Sequence, residues 1–224
     1  VTPAAWPRTL RDTASGELPA LAVLVLHPLD HCGVLYKAED RHAVHPLAWH
    51  KRLSMDNVPS DRTGKYAWVA PSLPRERMLA VAAICRRVWR RNQQRGIPYG
   101  LRYDATTFHR TGEIRLGRDE LGLTCATFVL ALFRQGGVEL LRLEEWPARP
   151  DDLDRQRELV ARLRSDLTVP REHCDAIERE IPTLRYRPTE VAGACSSADL
   201  PCSFAEASRA AAPIVRTFEA SLQA

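Results

Sequence analysis

Gly122-Leu123-Thr124-Cys125-Ala126-Thr127-Phe128-Val129-Leu130-Ala131-Leu132-Phe133 is the stretch whose reading decides the fold. It opens on turn-forming residues and then runs apolar with helical spacing, so that Phe128, Val129, Leu132 and Phe133 share one face. Thr124 suits an N-cap, which puts Cys125 in the first turn of a helix. A thiol there lies beside unpaired backbone N–H groups and the positive end of the helix dipole, and both favour the thiolate. The same amides can receive an oxyanion. Taken alone, the stretch favours a buried core thiol, which is what most free cysteines are. The rest of the chain shifts that reading.

Upstream, Leu21 to His27 is a short apolar run of the buried-strand kind, ended by Pro28. His31 to Lys37 and Arg41 to Leu47 read as two strands across a turn near Glu39-Asp40, and Tyr66 to Ala70 as a fourth. Residues 50–64 are polar and turn-rich. A helix is expected from Arg75 to Gln94, with Met78, Val81, Ala82, Cys85, Val88 and Trp89 as its apolar stripe. Its other face carries Arg86, Arg87, Arg90 and Arg91; a solvated surface is the commoner reason for such a face, and it is assigned no function.

Downstream, the Cys125 helix should stop at Gly136-Gly137, and Val138 to Leu143 suits a short strand. Asp151 to Leu167, Glu172 to Glu180 and Ala205 to Leu222 have amphipathic helical patterns, and residues 182–203 read as irregular. The expected fold class is α+β. An extended lead-in covers 1–19, a core covers 20–143 with an antiparallel sheet on the Cys-bearing helix, and a helical extension covers 151–224.

Composition narrows the class. The chain is 45% hydrophobic and 27% charged, with no low-complexity tract, which excludes disordered and fibrous proteins. No apolar run reaches the length of a membrane span and no secretory signal is seen, so a cytoplasmic location is expected. The basic helix lacks the interleaved aromatics and Gly-rich loops of a nucleic-acid module, so no nucleic-acid partner is expected. Cys32, Cys85, Cys125, Cys174, Cys195 and Cys202 form no CxxC pair and should be reduced; Cys195 and Cys202 could join across a small-residue loop in an oxidising compartment.

Cys125 needs a base, and histidine is the usual one. His27, His31, His42, His45 and His50 cluster around the strand pair, while His109 and His173 stand apart. His31 starts a strand, and Gly33 beyond it leaves room for another backbone, such as a helix start, to pack on that face. A third group should orient the imidazole. With a three-residue loop, Glu39-Asp40-Arg41, His45 shares the face of His31; a two-residue loop puts His42 and Val44 there instead. Asp40 tolerates the left-handed conformation of the longer loop. His45 is therefore the choice, with His42 and Glu39 in reserve.

These residues resemble a known family. Asp30-His31-Cys32-Gly33-Val34-Leu35-Tyr36 with His42-Ala43-Val44-His45 is similar to the His-x-Gly strand and following His-bearing strand of NlpC/P60-type thiol hydrolases. Thr124-Cys125-Ala126-Thr127-Phe128-Val129 resembles that family's Cys-bearing helix start, and Pro98-Tyr99-Gly100 its Pro-Tyr segment. The order His, His, Cys is that of the circularly permuted, papain-like branch, which includes the PPPDE isopeptidases and the lecithin:retinol acyltransferase-like enzymes. The resemblance covers about residues 20–140. It implies a permuted papain-like core, with Cys125 as nucleophile, His31 as general base and acid, and His45 holding the imidazole. It further implies a Cys125 N–H in the oxyanion hole, with Thr124 and Tyr99 beside it. The implied activity is a peptidase, amidase or isopeptidase that uses a thioester intermediate on a peptide, isopeptide or other amide, without a cofactor.

Three other readings compete. His27 and His31, and His42 and His45, have spacings that suit a helical metal site but lie on strands; His173-Cys174 with Cys195 and Cys202 is too widely spaced, so no metal is expected. A fold-keeping binding module would need no reactive Cys125. A lipid-ester acyltransferase would be expected to show an apolar channel or membrane-facing segment, and none is legible.

Overall fold

The chain is described here by a computed structural model covering residues 7–28, 30–38, 41–58, 65–105, 108–116 and 118–223. The apolar run Leu21–Leu26 forms a central strand because both of its faces are buried, one under the helices and one under the lead-in. Among the described residues there are seven strands and six α-helices, the strands forming one open antiparallel sheet.

The strands are β1 (Arg8–Thr9), β2 (Leu21–Leu26), β3 (His31–Ala38), β4 (Arg41–Trp49), β5 (Arg52–Leu53), β6 (Asp56–Asn57) and β7 (Tyr66–Val69). Their order across the sheet is β1-β7-β2-β3-β4-β5, with β6 also paired to β4. The two long hairpin strands and β7 lie where the β-rich runs predict them. The lead-in is not merely extended: β1 pairs with β7 and supplies an edge, and Leu10 packs on Leu24, Leu35 and Trp68. The polar stretch after β4 likewise supplies β5 and β6.

The helices are α1 (Arg75–Asn92), α2 (Cys125–Gln135), α3 (Pro150–Ser165), α4 (Arg171–Glu178), α5 (Pro188–Cys195) and α6 (Phe204–Gln223). α2 is apolar nearly all round, so it is central: Cys125 through Phe133 are all buried, against β3, α1 and α5. α1 turns Val81, Ala82, Cys85 and Val88 onto the same core.

Two expectations fail beyond α2. Val138–Leu143 makes only a single bridge, Leu141 to Cys202, and residues 188–195 are helix α5 rather than irregular chain. The small residues Val191, Ala192, Ala194 and Cys195 give little helical pattern, yet all are fully buried against the sheet and α6. At Gly193 a Cβ would lie 2.7 Å from the Ala210 backbone, so a smooth surface lets the two helices close. Such a helix has no polar face to announce it.

Candidate active site

The helix start builds the site. Four backbone N–H groups at an α-helix N-terminus lack intrahelical partners. Here a capping box takes two of them: the Thr127 N–H donates to Thr124 Oγ1 at 3.1 Å, and the Thr124 N–H donates to Thr127 Oγ1 at 2.8 Å. The other two belong to Cys125 and Ala126. Thr124 is thus the N-cap, and its side chain serves the helix rather than an oxyanion.

The entry to α2 is clamped. The Leu123 N–H donates to the Pro98 carbonyl at 3.1 Å, and Gly100 and Gly122 meet backbone to backbone. A Cβ on Gly122 would lie 2.2 Å from the Pro98 oxygen, so only glycine allows this contact. The clamp sets Tyr99 beside Cys125, where both border the same two cavities.

The Cys125 Sγ lies 3.8 Å from the Asp30 carbonyl, and its thiol neighbours are Cys32 and His31. The Cys125 thiol is held well below the ordinary thiol range: the Cys32 S–H hydrogen bond comes first, then burial works against it, then His31 stabilises the anion. Cys32 shows the converse. Its hydrogen bond to Cys125, burial and the Cys125 charge all push its thiol well up. Of two touching thiols the thiolate belongs on Cys125, because only that sulfur sits at a helix N-terminus beside an imidazole. Burial pulls the His31 imidazole down, but its hydrogen bond and charge interaction with Cys125, with the Asp30 carboxylate, more than offset this and leave it raised. Both shifts run in the direction that favours an imidazolium–thiolate pair. Tyr99 is pushed up by burial and by the Cys125 charge, so its phenol remains a donor.

The structure brings together Cys125, His31 and Tyr99 but not His45. The loop between β3 and β4 has two residues, because Ala38 pairs with Arg41 and Val34 with His45. One residue fewer in the loop flips the parity of the whole strand. His45 therefore points to the helix-covered face, fully buried, with Nδ1 against the Ser54 carbonyl at 2.7 Å and rings of Tyr36, Trp89 and Phe128 around it. It is a core histidine and does not hold the His31 imidazole. His42 shares the His31 face but pairs with Lys37, six residues or about 20 Å along the strand, where its Nε2 meets the Pro19 carbonyl. Glu39 lies outside the described residues. Gly33 also faces away from the helix start: its close neighbour is Pro46, 3.1 Å from a would-be Cβ. His31 reaches Cys125 because it is the first residue of β3, at the sheet rim, and it borders cavities on both sides.

Sequence reasoning missed Cys32, Asp30 and Arg155. Cys32 was legible as the neighbour of His31, though only its partner makes it a donor. Arg155 comes from α3, pairs with Asp30 at 3.2 Å, and walls the site. Two cavities meet at Cys125: a slot of about 50 Å³ over the Cys125–Ala126 turn, and a cleft of about 490 Å³ between β4 and α3. The C-terminal third also holds Tyr99 in place. The Tyr99 N–H donates to His50 Nδ1 at 3.3 Å, the His50 ring packs against that of His173 in α4, and Glu180 accepts from the N–H groups of Leu101 and Arg102.

Among the described residues no group of three or more His, Cys, Asp or Glu is disposed to hold a metal ion, and no helix is long and apolar enough to cross a membrane. All six cysteines are free thiols, Cys195 and Cys202 included. Comparison of the chain with protein-family models, with curated proteins and with solved structures finds no match.

Proposed function

We propose that this chain is a thiol hydrolase acting on an amide or ester carbonyl through a Cys125–His31 pair, in the manner of the permuted papain-like, NlpC/P60-type enzymes it resembles. The observation that carries the reading is the meeting of three things at one point: a buried thiol at a helix start, an imidazole on the opposing strand, and two N–H groups spared by the capping box. The Cys125 thiolate attacks the carbonyl carbon, and the oxyanion forms against the Cys125 and Ala126 N–H groups in the narrow slot. The His31 imidazolium gives its proton to the leaving nitrogen or oxygen, which departs and leaves a thioester on Cys125. His31, now neutral, takes a proton from water; the hydroxide adds to the thioester, the acid is released and the thiolate returns. Cys32 steadies the thiolate between turnovers, and Tyr99 offers a donor beside the slot. The wider cleft takes one side of the substrate.

The test is the pH dependence of Cys125 alkylation, read by mass spectrometry on the folded protein. Selective reaction well below the free-thiol pKa of about 8.5, lost in His31→Ala, is expected. A Cys125 that stays inert until denaturation, or a His31→Ala variant that behaves as the parent, removes the hydrolase reading.

A further inference from the structure

Away from the thiol, four arginines in the second half of α1, Arg86, Arg87, Arg90 and Arg91, face a groove of about 410 Å³, where they are joined by a fifth, Arg110. The fifth comes from the turn between Phe108 and Ile114, and its arrival is what separates this groove from a merely solvated helix face. That turn is fastened to α1: the buried Asn92 side chain donates to the Gly112 carbonyl at 2.8 Å and accepts from the Ile114 N–H at 3.1 Å. Arg87 donates to the Arg110 carbonyl at 3.2 Å, and Gly112, at φ +91°, lies flat on the Arg87 stem, where a Cβ would come within 2.7 Å of Cγ.

The other lining residues are Ala83 and Thr111, so no carboxylate borders the groove among the described residues. No ion pair joins any of the five guanidinium groups to an acid there, although Arg95 and Glu113 pair close by. The whole chain carries a net charge of only +4, so the remainder, with these five set aside, is slightly acidic. Like charges four apart on a helix, as in 86/90 and 87/91, repel one another, a repulsion that an anion in the groove relieves.

We infer that this groove binds a compact, multiply charged phosphate group. Arginine forks match phosphate oxygens two at a time, and five of them in one concavity call for high charge density, which a single carboxylate lacks. Arg86 to Arg91 spans only about 8 Å of helix, enough for two or three linked phosphates and too little to track a nucleic-acid backbone. The lining offers no aromatic ring on which a base could stack.

Calorimetric titration of the full chain with sodium tripolyphosphate at about 0.15 M ionic strength tests this directly. One site is expected, weakened about tenfold by Arg90→Gln or by Arg110→Gln and unmoved by Arg75→Gln, an exposed arginine outside the groove. Arg110 contributes its carbonyl, not its side chain, to the fold, so that variant should keep the parent's thermal unfolding. Sedimentation with phosphatidylcholine vesicles containing a phosphoinositide bisphosphate distinguishes the source: Arg110-dependent pelleting assigns the phosphate to a lipid headgroup, and binding of tripolyphosphate alone assigns it to a soluble ligand. The inference fails if neither binds, or if Arg110→Gln binds as the parent does. It also fails if a single-stranded oligonucleotide binds with affinity that grows with its length and exceeds that of tripolyphosphate.

Discussion

At the scale of single residues, Cys32 is the informative neighbour. Its thiol donates to the Cys125 sulfur and is the first cause of that thiol's depression. A hydrogen bond to a charged group is worth about 1.5–3 kcal/mol, or roughly one to two pKa units. Cys32→Ala should therefore raise the midpoint of the Cys125 alkylation profile by about one unit, while Cys32→Ser, which keeps a donor, should raise it less; mass-spectrometric labelling between pH 5 and about 9 reads both. His45 makes the opposite point. Burial lowers its imidazole to about 4, against an unfolded value of about 6.5. The unfolded chain thus binds the proton more readily between those values, so this contribution to stability is fully present above pH 6.5 and is lost as pH falls toward about 4. It amounts to about 3 kcal/mol for a group with no exposed surface. Urea midpoints should drop from pH 7 to about 4.5, and the drop should be smaller in His45→Leu.

Among elements, the start of α2 and the clamp beneath it carry the site. Thr124→Ala removes the cap that both satisfies Thr127 and leaves the Cys125 and Ala126 amides exposed to a ligand. A loss of about 1 kcal/mol in urea unfolding is expected, with slower Cys125 alkylation at neutral pH because the helix end is less ordered. Gly122→Ala should cost more, about 1–3 kcal/mol, since the Pro98 carbonyl stands 2.2 Å from the new carbon and the backbone must part. Thr124 as cap was legible from residue type and position alone. The β3–β4 loop length was not, because neither Glu39 nor Asp40 is a glycine that would fix the turn. One residue of ambiguity there moved His45 from the site to the core.

For the molecule as a whole, the C-terminal third is part of the site rather than an appendage beside it. Arg149 ties α3 to α5: it pairs with Asp152 at 2.8 Å and with Glu190, and donates to the Arg185 carbonyl at 2.6 Å. Asp152 is 3% exposed and also receives Arg185 and Arg187. Removing one member of such a buried cluster leaves uncompensated charge, so Asp152→Ala should cost about 3–5 kcal/mol in equilibrium unfolding. α5 also lies on β2, β3, β7 and α2. A chain ended after residue 149 should therefore show no cooperative thermal transition, the sheet having lost one of its covers.

Sequence alone determined the class of the fold, the four longer strands and every α-helix but α5, because these rest on local patterns of alternation, helical period and a capping threonine; Cys125 and His31 stood out as candidates through the resemblance of their motifs. Tertiary structure decided what depends on parity and on distance. It set the register that sends His45 into the core and placed the Cys32 donor beside Cys125. It brought Arg155 from α3 to the cleft and fastened Arg110 over the α1 arginines. Each of these is a meeting of residues far apart in the chain, fixed by how buried faces close on one another, and no local period records such a meeting.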